Sequence, residues 1–406
     1  MTSRVLVLAC LAVLATGVIL DASGHVLGTA TPPLVMGWKP AIDAWAVAAA
    51  AASAAAVALA PRLPPLALGP AALVLALTIN AARSGTEGWT AVFSTSFEAL
   101  NEYLPALPAL AHGRGLFLDR FAELVPALPV HVAGHPPGLI LALDAAGLTT
   151  PSRMAALCIA CAALVPPLTF ALARTVCPVH ARSAGLLALA SPALLLFGTT
   201  SADAVYAALG TATAALLVRR EPLARSAGAA LLAVAAFASW ALLAVGAWAT
   251  IFLWRRDGLR PAGAVAAACA VAVVALNGAL AGAYGYDPIG ALQSTEAVYR
   301  NSLAATRPYW FWVVGSPAAF ALMAGLPLVA SAVRRPSPVA VATFSVLAIA
   351  AVLGFTKAET ERIWLFLVPL LCVAAAEQLA GGRVRPLVAV LLAQALACQL
   401  LFFTVW

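Results

Sequence analysis

The sequence predicts an all-α fold: a polytopic transmembrane bundle of about 13 spans, with one long polar loop on its outer side. Three observations predict it. Of 406 residues, 63% are hydrophobic and 10% charged, whereas a soluble globular domain carries about 25% charged residues. Apolar runs near the roughly 20 residues needed to cross a bilayer recur along the chain. Lys and Arg fall in short clusters between those runs, where they set topology.

The elements follow in order. The first span is read at 4–21 and kept as an uncleaved crossing, because LDASGHVLG lacks a clear small-x-small cleavage signal. The second and third lie at 41–60 and 66–83, and a loop of residues 84–152 follows. Within it, GLILALDAAGL after Pro137 is too short to cross, so it is expected in the interface, leaving Arg153 on the loop side. Further spans are expected at 153–173, 184–199 and 204–219. The apolar stretch 226–254 has basic residues at both ends and is read as a hairpin that crosses twice. The last spans are expected near 262–282, 313–333, 337–354, 364–380 and 386–405.

With the N-terminus inside, Lys and Arg divide 14 inside (4, 62, 174, 182, 219, 220, 225, 255, 256, 260, 334, 335, 383, 385) to 9 outside. That direction obeys the positive-inside rule and puts the C-terminus outside. Only Glu221, Asp257 and Glu377 of 16 acidic residues fall inside, and His180 alone of five His. Acidic residues barely influence insertion, so their outer excess points to chemistry on that face. The net charge of +7 lies in these clusters and is no nucleic-acid signature. Cys158 and Cys161 have CxxC spacing inside an apolar run, MAALCIACAALV, and read as small core residues.

Polar chemistry gathers in residues 86–138, which bring Glu87, Glu98, Glu102, Asp119, Glu123, His112, His131 and His135 between two apolar segments. A loop of this length is usually functional or disordered, and its Phe, Leu and Trp content argues against disorder. Carboxylates and imidazoles beside an apolar wall have movable pKa values, as general acid–base work requires. Three shorter outer segments add to it. LFGTTSADAVYA carries Asp203, where the bland reading is a helix cap by Ser201 or Asp203. Residues 283–312 combine Asp287, Glu296, Arg300 and Arg307 with Tyr299 and other aromatics. These can be an interfacial belt or a sugar-stacking surface. GFTKAETERIW confines Lys357, Glu359, Glu361 and Arg362 between two spans, either paired with neighbours or binding a lipid-borne phosphate.

The order of FEALNEYLPALPALAHGRGLFLDRF, HVAGHPPG, SPALLLFGTTSADA and the late Lys/Arg turn resembles the GT-C glycosyltransferases. In particular it resembles the protein O-mannosyltransferase and aminoarabinose transferase group and related actinobacterial membrane transferases. The resemblance covers residues 66–380 and implies a catalytic core there, with 1–65 as an added helical hairpin and 381–406 as a C-terminal span. It implies a catalytic carboxylate at Glu102, with Glu98 in reserve, although Asn101 stands where the family commonly has Asp. Asp203 matches the acid of the second outer loop, and Lys357 and Arg362, with Arg307, the phosphate site. His135, His131, Tyr103, Asp287 and Tyr299 are the expected substrate contacts.

The implied activity is transfer of a mannose- or arabinofuranose-class sugar from a polyprenyl-phosphate donor to a glycan, lipid or protein acceptor. It would run at the outer leaflet of the plasma membrane and invert the anomeric centre. No nucleotide is needed on the outer side, and grouped outer carboxylates could hold a divalent cation. The rival classes are a multi-span transporter or lipid flippase, which would place charges and broken helices at mid-bilayer, and a catalytically silent assembly partner.

Overall fold

A computed structural model of the chain describes residues 3–379 and 384–404. Arg383, the expected boundary at 380–381 and the last residue of the expected span 386–405 lie outside them. The described residues form an all-α protein apart from one two-residue strand pair. The chain opens with α1 (Ser3–Ala22), β1 (Gly37–Trp38), α2 (Trp45–Leu59) and α3 (Leu68–Ser84). The long loop then folds into short pieces: α4 (Ala91–Ser94), α5 (Arg114–Asp119), α6 (Phe121–Leu124), α7 (Val130–Ala133) and α8 (Gly138–Ala145), with 3₁₀ turns between them. The body continues as α9 (Pro151–Val176), α10 (Ala181–Ala190), α11 (Pro192–Phe197), α12 (Asp203–Leu217), α13 (Pro222–Ala238), α14 (Leu243–Asp257) and α15 (Leu259–Tyr284). After α16 (Pro288–Asn301) and α17 (Leu303–Thr306) come α18 (Tyr309–Ala332), α19 (Pro338–Leu353), α20 (Thr360–Ile363), α21 (Val368–Glu377), α22 (Val384–Leu401) and β2 (Phe402–Phe403).

Among the described residues, six helical stretches are long and apolar enough to cross a membrane: Arg4–Ala22, Pro65–Leu100, Pro151–Val176, Leu259–Tyr284, Tyr309–Ala332 and Val384–Leu401. The chain is therefore a helical membrane protein. Most other apolar segments are helices of 10–17 residues, among them 45–59, 203–217, 222–238, 338–353 and 365–377. The expected single span 184–199 is broken at Ser191, because Pro192 starts a new helix and cannot continue the old hydrogen-bond ladder.

Side-chain and backbone links sort the helix ends into two sets. At one end, which carries the long loop, the Asp43 N–H donates to Ala82 O, and Trp312 Nε1 donates to Leu27 O at 3.2 Å. Here too Lys39 and Ala41 donate to the last carbonyls of α22, and β1 pairs antiparallel with β2. At the opposite end, Arg182 reaches Ala60 O at 3.3 Å, Gln378 reaches Arg335 O at 3.4 Å, and Arg256 reaches Val218 O at 3.4 Å. Residues 226–254 divide at Ser239 into α13 and α14; the start of α13 and the end of α14 lie at this second face, where Arg225 Nε donates to Arg219 O at 2.6 Å near Arg256. The stretch is therefore two helices joined by a turn at one end.

The core is the sheath around α21, which is buried along nearly its whole length against α9, α10, α18 and α19. By contrast α1 and α15 are mostly exposed, apolar surfaces of the kind that faces lipid. Within residues 1–65, α1 packs on α18, and α2 packs on α3 and α22.

Candidate active site

The loop face owes its shape to proline and to close packing. Prolines at 105, 108, 126, 129, 136 and 137 forbid a long helix, so residues 85–150 fold as short turns over the bundle. In HVAGHPPG the glycine is a packing requirement, since a Cβ on Gly138 would collide with the carbonyl of Phe237. That contact seats α8 on α13. An aromatic cluster fixes the outer pieces: Phe121 to Phe117 and to Tyr286, and Phe237 edge-on to Tyr286 at 5.6 Å.

This packing divides the loop's polar residues. Asp119 and Glu123 pair with Arg120, and Arg114 with Asp144, on the exposed surface. Such pairs contribute about 0–1 kcal/mol. Glu98, Glu102, His131 and His135 turn inward. His131 Nε2 lies 2.7 Å from Glu98 Oε1 and 3.8 Å from Glu102 Oε1, so the imidazole stands between two carboxylates. Asn101 Nδ2 donates to Glu98 at 3.3 Å, and its carbonyl accepts the His131 backbone N–H. Burial pushes the Glu102 carboxyl above its ordinary pKa, with His131 and Arg362 opposing. For His131, burial alone would lower the pKa; the charge of Glu102 and the hydrogen bond to Glu98 overcome it and raise it. Glu102 Oε2 is buried and has no hydrogen-bond partner among the described residues, a state that asks for an explanation.

The second half of the cluster comes from α12 and from the turn before α20. Arg362 Nη1 donates to Asp203 Oδ2 at 2.5 Å, and its Nη2 to Glu359 Oε2 at 3.1 Å. Glu359 also accepts from Arg307 at 2.8 Å. Burial would raise the Glu359 pKa, but Arg362 and Arg307 hold it low. The turn carries two consecutive non-glycine residues in the left-handed region, Ala358 at φ 67° and Glu359 at φ 59°. Each costs about 1–3 kcal/mol and persists only where its surroundings hold it. Here Ala358 is fully buried and Glu359 is clamped by two guanidiniums.

Asp203 is the first residue of α12 and does not cap it. Ser201 Oγ accepts the Asp203 N–H at 3.0 Å and donates to its carboxylate at 2.5 Å, which leaves that carboxylate facing Arg362. Tyr103 and Tyr206 share a hydrogen bond of 2.5 Å between hydroxyls, and the His135 ring lies 5.1 Å from that of Tyr206. Burial, with Asp203 opposing, lowers the His135 pKa to about 4, so its imidazole is neutral near pH 7.

Glu98, Glu102, His131, Asp203 and Arg362 thus meet in one buried cluster beside the Tyr103–Tyr206–His135 group, with Arg307 joined through Glu359. Lys357 and Asp287 face elsewhere. The Lys357 ammonium donates to the carbonyls of Ala304 and Arg307, both at 3.0 Å, and closes the end of α17. Asp287 is an exposed cap of α16, accepting the N–H groups of Ile289 and Gly290. Tyr299 OH accepts the Lys357 N–H at 2.9 Å and so supports the turn instead of lining the cluster.

Glu359 and Tyr206 are the members absent from the predicted set. Glu359 stands among the four charges of GFTKAETERIW, but its clamp depends on Arg307, 52 residues earlier. The N-terminal loop is a second unforeseen contributor: Gly28 O accepts from Arg307 at 3.3 Å, and the Val35 N–H donates to Glu361 at 2.7 Å. Among the described residues no group of three or more His, Cys, Asp or Glu could hold a metal ion. All seven cysteines are free, Cys158 being a buried packing residue of α9. No protein-family model and no curated protein matches the chain.

Proposed function

We propose that the chain is an integral membrane glycosyltransferase of the GT-C kind, with about thirteen crossings and its active site on the extracytoplasmic side of the plasma membrane. It moves a mannose- or arabinofuranose-class sugar from a polyprenyl phosphate to a glycan, lipid or protein hydroxyl. The observation that carries this reading is the cluster at the loop end of an apolar bundle, where a buried carboxyl with one unpartnered oxygen, Glu102, stands against His131 beside the buried Arg362–Asp203 pair. Acid–base chemistry and anion recognition are thereby side by side where a lipid headgroup would arrive.

Glu102 takes the proton of the acceptor hydroxyl, whose oxygen bonds to the anomeric carbon as the bond from that carbon to the phosphate oxygen breaks. Attack opposite the leaving group inverts the centre. His131 spreads the proton's charge between Glu98 and Glu102. Polyprenyl phosphate leaves as an anion toward Arg362 and Arg307. Each guanidinium offers a planar fork of donors, so one edge can hold Asp203 or Glu359 while another meets phosphate. Lys357 supports that turn through the carbonyls it binds, and a direct phosphate role passes from it to the two arginines.

A transporter is the second reading, favoured by breaks at Ser191 and at Gly325, where φ is 109° inside α18. No ionisable residue flanks either break within four positions, whereas the buried charges collect at the loop end. Purified protein given a panel of polyprenyl-phosphate sugars tests the proposal. Release of polyprenyl phosphate by wild type, lost in Glu102→Gln, supports it; no release from any donor of the panel opposes it.

A further inference from the structure

At the end of the bundle opposite the active site, α9, α12, α13 and α14 leave a cavity of about 450 Å³ between their ends. Its walls include Thr175, Val218, Arg219, Arg220, Glu221 and Arg256. The volume is in the roughly 300–1,000 Å³ range of small-molecule sites. Four guanidiniums stand here, Arg219, Arg220, Arg225 and Arg256, against two carboxylates, Glu221 and Asp257. The place is therefore electropositive even with both acids ionised.

The cationic groups differ in freedom. Arg256 is held, with Nη2 on Asp257 at 2.6 Å and on Val218 O at 3.4 Å and its guanidinium over the Phe252 ring. Arg225 is tied to Arg219 O at 2.6 Å. Arg219 and Arg220 are exposed at the rim. Near the end of α14 the half-exposed Trp254 lies against Arg255; an indole at a helix end beside an arginine marks headgroup level. The topology rule accounts for basic residues on this face, but it requires no cavity between the helices that carry them.

We propose that this cavity binds a phosphate-bearing anion, with Arg256 as its fixed wall and Arg219 and Arg220 as the closing contacts. Basic pockets between membrane helices suit the phosphodiester headgroup of an anionic lipid, and a free phosphate compound presents the same chemistry. The proposal is independent of what the loop face catalyses.

The test uses the purified full chain in zwitterionic nanodiscs. Binding of phosphatidylglycerol is titrated by native mass spectrometry, and inorganic pyrophosphate is titrated separately. Arg219→Gln/Arg220→Gln removes the rim contacts without touching the bonds of Arg256; Arg62→Gln/Arg334→Gln removes two exposed charges from the same face away from the cavity. Each arginine near a lipid headgroup contributes a factor of about five, so the rim pair should weaken binding about 25-fold and the control pair much less. Saturable phosphatidylglycerol binding with that difference assigns the site to a lipid, and the same pattern with pyrophosphate alone assigns it to a soluble phosphate. Equal losses in the two double variants, or no saturable binding of either probe to wild type, would overturn the proposal. Unchanged helical circular dichroism and a monodisperse elution confirm that each variant is folded.

Discussion

Glu361 gives the sharpest physical expectation. It is fully buried, one carboxylate oxygen accepts the Val35 N–H at 2.7 Å, and the other has no partner among the described residues. Burial raises its pKa from 4.5 to about 7, the Val35 hydrogen bond opposing. A carboxyl whose folded pKa is raised holds its proton longer in the native state than in the unfolded chain. Its favourable contribution is complete below the unfolded value and disappears as pH rises through the folded one. From 4.5 to about 7 the change is about 3 kcal/mol. Glu361→Gln keeps an oxygen for Val35 and cannot ionise. Unfolding of both proteins in one detergent at a series of pH values isolates this residue from other titrating groups. The stability difference, wild type minus Glu361→Gln, should fall by about 3 kcal/mol between pH 4.5 and 7 and level off above. A difference that stays flat across that window, or rises with pH, refutes the reasoning. The result bears on function because Glu361 ties the N-terminal loop to the turn that presents Arg362.

Further expectations follow from the same geometry. Glu102→Gln should lower turnover by about 10²–10⁴-fold with little change in donor affinity, and wild-type activity should rise with pH at values above the usual carboxylate range, because burial lifts the Glu102 pKa. Removing one member of the buried Arg362–Asp203 pair should cost about 3–5 kcal/mol of stability, while replacing both with apolar residues, which leaves Glu359 its bond to Arg307, should cost less than the two single losses added together; thermal or denaturant unfolding of the two single variants and the double variant decides it. Lys357→Met should destabilise the protein through the carbonyls it abandons, and should change donor affinity less than Arg307→Gln does, as donor titrations would show. Cysteines placed in a Cys-free background at positions 113 and 241 should react with an impermeant reagent from the same side, and one at position 258 only from the other, if α13 and α14 form the hairpin.

The sequence makes most helices legible because Ala, Leu and Val runs have few alternatives in lipid. The division of 226–254 into two helices follows from length and flanking charge alone. The break at Ser191 is less visible, since SPALLLF reads as apolar on both sides and only Pro192 signals it. In the site, Glu98, Glu102, His131 and Asp203 stand out as charges that an apolar chain must place somewhere. Lys357 and Arg362 look alike in sequence, five residues apart, yet one closes a short helix and the other meets Asp203 across 159 positions. That distinction depends on which carbonyls and carboxylates the fold brings near. The contacts of Gly28, Leu27 and Val35 are hidden for the same reason: they join the N-terminal loop to residues some 280–330 positions away.

The most direct test places the purified protein in sealed vesicles with a polyprenyl-phosphate sugar and a hydroxyl acceptor, following sugar transfer and the leaflet position of the donor together. The account predicts that wild type cleaves the donor and releases polyprenyl phosphate, and that Glu102→Gln leaves it intact. Donor that crosses the bilayer unchanged with the sugar still attached, at equal rates in both proteins, would contradict it.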